Sequence, residues 1–262
     1  NKKIKMPIIR RKEIAKNTYS TILKSPKIAD LAIAGQFINI LPDNSWEKAM
    51  RRPMSLASRD DENIELIYKV FGSGTDLMSK WERDDKIDII GPLGNLWSNF
   101  EKIPILIGGG VGIAPIMYLS NYLKNKNIVH YLIMGAKDKS EHFLTHDIEK
   151  NILLSTDNGT AGIKGNVLDV FKTIDLINNK IKIFSCGPSV MMENLKDFSN
   201  KNDIDCDLAL ETVMACGFGI CQGCTVEYNN LNSENHSYRS KFGLVCLDGP
   251  IFSSKKIKTC KL

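Results

Sequence analysis

Residues 103–115 read IPILIGGGVGIAP. The apolar run has the length of a buried strand, the glycines let the chain turn, and Pro115 suits the first turn of a following helix. Glycines placed this way also let a backbone approach a pyrophosphate, which the unpaired N–H groups of a helix start would receive. Gly109, Gly110, Gly112 and Pro115 are therefore candidate dinucleotide contacts, with Pro115 standing where the usual G-x-G-x-x-G fingerprint has its third glycine. A plain strand-to-helix turn needs glycine too, so the stretch alone leaves both readings open.

Toward the C-terminus the same rhythm continues. APIMYLSNYLKNK (114–126), NIVHYLIMGA (127–136), SEHFLTHDIEKN (140–151), ILLSTDNG (152–159), NVLDVFKTI (166–174), KIKIFSCGP (180–188) and SVMMENLKDFSNK (189–201) alternate strand and helix patterns. This predicts a parallel sheet covered on both faces over residues 100–211. Toward the N-terminus the rhythm differs. TYSTILKS, GQFINILP, RPMSLAS, NIELIYKVFG and DKIDIIGPLG are short apolar runs separated by Gly, Pro, Asn and Asp. They predict an antiparallel β-barrel over residues 1–99, with one short helix in GTDLMSKWERDD that Thr75 would cap. Residues 212–262 leave both patterns for a cysteine-rich tail.

The 262 residues suffice for about two ordinary domains. At 43% hydrophobic and 25% charged, the composition is that of a folded globular chain. A net charge of +5 is spread along the chain and is too diffuse to argue for nucleic acid. No apolar run has membrane-spanning length, so a cytoplasmic protein with no membrane contact is expected. The first residue is Asn1 rather than methionine, and a trimmed chain is the expectation. Seven cysteines, in a pattern unlike a small secreted scaffold, favour metal over disulfides in a reducing compartment.

Two later loops at predicted strand ends strengthen the dinucleotide reading, because open parallel sheets bind ligands at the carboxyl ends of their strands. They are STDNGTAG, with Asp157, and SCGPS, with Cys186, Gly187 and Pro188. Cys186 could sit near a nicotinamide or simply be a buried thiol. In RRPMS, Arg52 could pair a phosphate and Ser55 could bond an isoalloxazine edge, although a surface arginine before a strand-edge proline explains the stretch equally. In IYKVFGSGT, Tyr68 could stack on a flavin or adenine ring, or point into the barrel; Gly74 and Thr75 lead the short helix.

The tail carries C-x4-C-x2-C-x21-C at Cys216, Cys221, Cys224 and Cys246. The first three spacings match the plant-type [2Fe-2S] pattern, whereas zinc ribbons prefer two C-x2-C knuckles and only one is present. His142 and His146 lie four apart on a predicted helix with no third ligand in view, which reads as a solvated helix face. Cys206 fits a buried strand and Cys260 an exposed tail.

Taken together, R-P-x-S, G-x-G-T, G-G-G-V-G-x-A-P, C-G-P and the cysteine pattern before DGPIF resemble the ferredoxin reductase superfamily. Within it the chain is most similar, over nearly its whole length, to the electron-transfer subunits of NAD-dependent dihydroorotate dehydrogenases. The resemblance implies FAD on Arg52, Pro53, Met54 and Ser55, on Ile67, Tyr68 and Lys69, and on Gly74 and Thr75. It implies a [2Fe-2S] cluster on the four cysteines, and an FMN-containing catalytic partner in a heterotetramer that oxidises dihydroorotate and sends electrons through cluster and FAD to NAD+. NAD rather than NADP is expected if Asp157 faces the adenosine ribose; Lys137 argues the other way. The segment between Cys224 and Cys246 looks a few residues longer than the family's spacing. Related subunits of ferredoxin:NADP oxidoreductase and sulfide dehydrogenase look similar but tend to carry aspartate at the first ligand position, here Cys216. A zinc- and nucleotide-binding regulatory module is the alternative of another class.

Overall fold

The computed structural model describes residues 4–43, 50–174, 180–229 and 237–262. The extra length expected before Cys246 includes residues 230–236, which lie outside this set.

Six antiparallel strands close a barrel: β1 (Ile4–Ala15), β2 (Thr18–Lys24), β3 (Phe37–Leu41), β4 (Arg52–Arg59), β5 (Asn63–Lys69) and β6 (Lys86–Leu93), in the order β1-β2-β5-β4-β3-β6. Ile8, Leu23, Ile38, Ile40, Leu56, Ile64, Leu66 and Ile89 fill its interior at 0% exposure. Pairing of β1 with β6 closes the circuit and removes the two outer edges an open sheet would leave, which stabilises a sheet this small. Two helices accompany the barrel. Ser25 caps α1 (Pro26–Leu31) through its side chain. The second, α2 (Ser73–Met78), starts earlier than the sequence suggested, with its cap at Gly72. Thr75 lies inside the first turn, where its Oγ1 accepts the N–H groups of Phe71 and Gly72 at 3.0 and 3.3 Å.

One register detail shapes the rest. β4 pairs with β5 only through Leu56, Ser58 and Arg59. Before Leu56, β4 pairs with β3 alone, and beyond Leu66, β5 pairs with β2 alone. Arg52–Ser55 and Ile67–Lys69 thus flank a gap where the two strands splay. Pro53, which has no N–H to give, is tolerated there.

The second unit is a seven-stranded sheet of β7 (Ile103–Gly109), β8 (Tyr131–Ala136), β9 (Ile152–Thr156), β10 (Ile163–Lys164), β11 (Ile181–Cys186), β12 (Asp205–Ala209) and a late strand from the tail. The order is β10-β9-β8-β7-β11-β12 and then that late strand, the only antiparallel member. Helices α3 (Ile113–Asn125), α4 (Val167–Phe171) and α5 (Ser189–Lys201) connect it. Chain order reverses between β7 and β11, so the turns after those strands meet at a topological switch point.

The helix expected over 140–151 is absent: a short 3-10 turn, Lys139–Glu141, is followed by irregular chain. Short β10 covers only Ser155 and Thr156 of β9. The segment expected to be helical bonds β9 through its side chains instead, with His142 Nε2 2.9 Å from the Ser155 carbonyl and His146 Nδ1 accepting the Leu154 N–H at 3.0 Å. These histidines brace a strand rather than forming a solvated face.

The tail forms β13 (Thr225–Glu227), α6 (Tyr238–Lys241), β14 (Phe242–Leu244) and β15 (Ile251–Ser253), the late strand on the β12 edge. Cys260 was expected to be exposed. It is buried at 4%, because its N–H and the Thr259 hydroxyl both donate to Glu193 of α5 and hold the terminus down. Cys206 is buried on β12 as expected.

Asn95, just after the barrel, ties the units together. Its side chain donates to the carbonyls of Asp248 and Ile251 at 3.0 and 2.8 Å and accepts the Ile251 N–H at 3.0 Å. Asn95→Ala should lower unfolding free energy by about 2–4 kcal/mol, since three bonds go and buried backbone groups lose partners. Denaturant titration of the variant measures this.

Candidate functional site

Two cavities adjoin between the barrel and the sheet. The first, about 730 Å³, opens at the carboxyl ends of β7, β8, β9 and β11 and is lined by Gly109, Gly110, Gly112, Asp157, Gly187 and Pro188. These expected dinucleotide contacts are brought together. Pro115 is not among them; one turn into α3, it faces the second cavity. Cys186 is 1% exposed and reaches neither cavity's wall.

The glycines serve different ends. A Cβ on Gly112 would come within 2.5 Å of the Cys186 carbonyl oxygen and the Gly187 backbone, so this glycine is required by packing. Gly110 has a φ of +52° and nothing within 4 Å of its missing Cβ, so its backbone is the part of the turn open to a ligand.

The second cavity, about 750 Å³, occupies the gap between β4 and β5. Arg52, Pro53, Met54, Ser55, Ile67, Tyr68, Lys69 and Thr75 all line it. Gly74 does not, but a Cβ there would approach Arg52 Nε to 2.7 Å, so its absence makes room for the guanidinium. Arg52 Nη1 is held by the carbonyls of Met50 and Arg51 at 2.8 and 3.2 Å. The stacking role for Tyr68 does not hold. Its residue is 3% exposed, its hydroxyl donates to the Met78 carbonyl at 2.8 Å, and its ring stacks on Tyr19 with centroids 6.0 Å apart. Burial pushes the phenol up to about 12. The ring is engaged inside the barrel.

Lys69, Phe71, Val111 and Glu211 line both cavities. Sequence reasoning missed Phe71 and Glu211. Phe71 is 79% exposed beside Lys69, whose Nζ lies 5.7 Å from its ring centroid and which also pairs with Glu141. Glu211 ends the DLALE run, and a carboxylate at the carboxyl end of an apolar strand was the available signal. Its carboxylate accepts from Cys186 Sγ at 3.7 Å, and surrounding protein raises its pKa even though the side chain opens to the cavities. Burial raises the Cys186 thiol well above its ordinary value, so it is a hydrogen-bond donor rather than a thiolate. Asp157 and Lys137 both line the first cavity, so a carboxylate and an ammonium face the same space.

From the second cavity the chain runs directly into the cysteine loop, with Leu210–Met214 forming part of the cavity wall. Gly217, Gly219 and Gln222 take positive φ of 81°, 86° and 55°, which folds the loop tightly. Two pairs of thiols result. The Cys221 N–H donates to Cys216 Sγ at 3.4 Å, and Cys224 Sγ lies 3.2 Å from Cys246 Sγ. Burial works against the Cys216 thiolate, but N–H groups of Cys221, Phe218 and Ile220 outweigh it and bring the pKa down to about 6. Cys246, desolvated and beside Cys224, rises to about 12. Among the described residues no three or more His, Cys, Asp or Glu side chains gather around a single ion. Two thiol pairs with N–H groups aimed at sulfur suit a binuclear cluster better than one zinc.

The iron-sulfur cluster binding domain of dihydroorotate dehydrogenase B matches residues 211–258. The electron transfer subunit of dihydroorotate dehydrogenase B (NAD(+)) from Fusobacterium nucleatum is 32% identical over 94% of this chain and 95% of its own length. That from Bacillus pumilus is 31% identical over 98% of each. Among solved structures, a chain of the NADH-dependent reduced ferredoxin-NADP oxidoreductase superposes with a TM-score of 0.84 at 26% identity, over 98% of this chain and 91% of that one. Phthalate dioxygenase reductase, at 15% identity and a TM-score of 0.64 over 98% of this chain and 96% of that one, shares the fold. With the cavities and the thiol loop placed as described, these full-length likenesses mean that the chain belongs to the dihydroorotate dehydrogenase B electron transfer subunit family.

Proposed function

We propose that this chain relays electrons from a separate dihydroorotate-oxidising subunit to NAD+, holding a [2Fe-2S] cluster on Cys216, Cys221, Cys224 and Cys246, FAD in the second cavity and the dinucleotide in the first. The observation that carries this reading is continuity: the two cavities share walls, and the wall at Leu210–Met214 leads into the cysteine loop. Bound there, FAD supplies the exchange between hydride transfer and single-electron transfer. Arg52 and the start of α2 would hold its phosphates, while the splayed backbone of Ser55 and Ile67–Lys69 would meet its ring edge. Gly110 would meet the pyrophosphate of NAD. Glu211, hydrogen-bonded by Cys186, stands where the two ligands would meet. NAD rather than NADP is proposed on Asp157, with Lys137 as the opposing feature.

The described residues include no helix long and apolar enough to cross a membrane. With the two cavities assigned to flavin and dinucleotide, this reading gives the dihydroorotate site to an FMN-containing catalytic partner, assembled with this chain as a heterotetramer. Exposed Val213, Phe218, Ile220 and Leu247 around the cysteine loop, from 39% to 76% accessible, support docking there. Free thiols support a cytoplasmic location. By this reading residues 1–99 bind FAD, 100–211 bind NAD and 212–262 bind the cluster.

Three measurements test the proposal. Orotate formation with NAD+ should require both this chain and its partner; the same rate from this chain alone would refute the subunit reading, and reduction of ferredoxin or a sulfur compound instead would reassign the partner. Cys221→Ser should abolish bound iron and leave FAD stoichiometry unchanged, because Cys221 is exposed and lines neither cavity; iron and flavin counts on the folded variant decide this. Arg52→Ala should weaken FAD binding by about 1.5–3 kcal/mol, roughly ten- to hundredfold, the scale of a hydrogen bond to a charged group. Flavin retention after dialysis measures the loss.

A further inference from the structure

Asn39 is a buried polar residue. It sits in the middle of β3 at 0% exposure, and strand alternation puts its side chain on the face opposite those of Ile38 and Ile40. Its Oδ1 finds no hydrogen-bond partner among the described residues. A buried amide oxygen left unpaired is unfavourable, so the strand itself gives no reason for an amide here. What the asparagine does have is a contact far away in sequence: Nδ2 donates to the backbone carbonyl of Cys216 at 3.1 Å. The amide must present its nitrogen there, since a carbonyl accepts and does not donate. Gly217 rests against the same amide, where a Cβ would come within 2.6 Å of Nδ2, so the cysteine loop approaches the barrel closely at this point.

Through its backbone Asn39 is tied to β4: it pairs across the ladder with Pro53, which lines the second cavity, and its carbonyl accepts from Arg51 Nη1 at 3.2 Å. Arg51 is in turn fixed by Asp88, Nη2 to Oδ1 at 2.7 Å. One residue therefore joins the strand that flanks the flavin cavity to the peptide of the first cysteine.

We propose that Asn39 is a positioning residue for internal electron transfer, docking the Cys216 peptide on the barrel and so fixing the seat and the electronic surroundings of the cluster relative to the flavin. The proposal rests on the function given above. A hydrogen bond that holds the Cys216 peptide sets where its sulfur lies, and hydrogen bonding around cluster sulfurs is one of the levers on reduction potential.

The test uses the full chain with FAD and cluster, as wild type, Asn39→Leu and Asn39→Thr. The leucine keeps the volume without a donor; the threonine suits any strand and is too short to reach Cys216. NADH is mixed in under anaerobic conditions, and flavin bleaching and cluster reduction are followed in one trace, with the midpoint potential and EPR spectrum of the reduced cluster recorded separately. The expected result is a ratio of cluster reduction to flavin reduction lowered roughly ten- to hundredfold, as for other partners of metal ligands, together with a displaced cluster potential or altered EPR spectrum at full flavin content. Wild-type ratio, potential and spectrum in the threonine variant would overturn the inference. So would equal loss of both reductions, which marks a residue needed only for folding. A wild-type chain that binds no iron would instead overturn the function proposed above.

Discussion

Pairing between β4 and β5 stops at Leu56 and Leu66, and this early end to a hydrogen-bond ladder governs what the barrel can do. Beyond it, two strands still held from outside by β3 and β2 present their inner edges to open space. Backbone polar groups need partners, so a gap of this kind in a closed barrel is a standing demand for a ligand with hydrogen-bonding edges. On the same strand Tyr68 stiffens the barrel interior against Tyr19 and Trp81.

The sheet contributes its own constraint at the switch point. Because Gly112 lies against the Cys186 carbonyl and Gly187, the turns after β7 and β11 touch and form a floor of the cavity, where Gly110 alone among these glycines has open space beside its missing Cβ. Cys186 sits beneath that floor with a thiol that stays protonated, so it orients Glu211 rather than reacting. The carboxylate is thus fixed at the boundary between the two cavities by a neutral neighbour.

Much of this was legible in the sequence, and what was not has physical causes. Five barrel strands announced themselves as apolar runs between turn residues, but β1, IKMPIIRRKEIA, did not, because its basic residues face out while Met6 and Ile8 carry the packing. The parallel strands were visible as near-continuous apolar runs. The segment over 140–151 is not a helix because His142 and His146 are turned onto β9, and no local pattern reports such a tertiary contact. The direction of Tyr68, the placing of Pro115 and the burial of Cys260 likewise depend on what packs from elsewhere. The four cysteines were readable because their spacing is itself the geometry, whereas Asn39 lies 177 positions from its partner.

The pairing of Ala209 with Ile251 has a further implication. The chain leaves the sheet at the end of β12 and returns beside the point of departure, so residues 210–250 form an excursion whose two ends are already joined by the sheet itself. Such a segment is a cassette. Its two ends stay together whatever happens between them, yet Met214, Val226, Leu244 and Val245 share one buried cluster with Ile183 and Leu208 of the sheet. A graft of this excursion onto another reductase sheet would therefore need to match that packing and the contacts to Asn39 and Asn95 as well as the short antiparallel pairing.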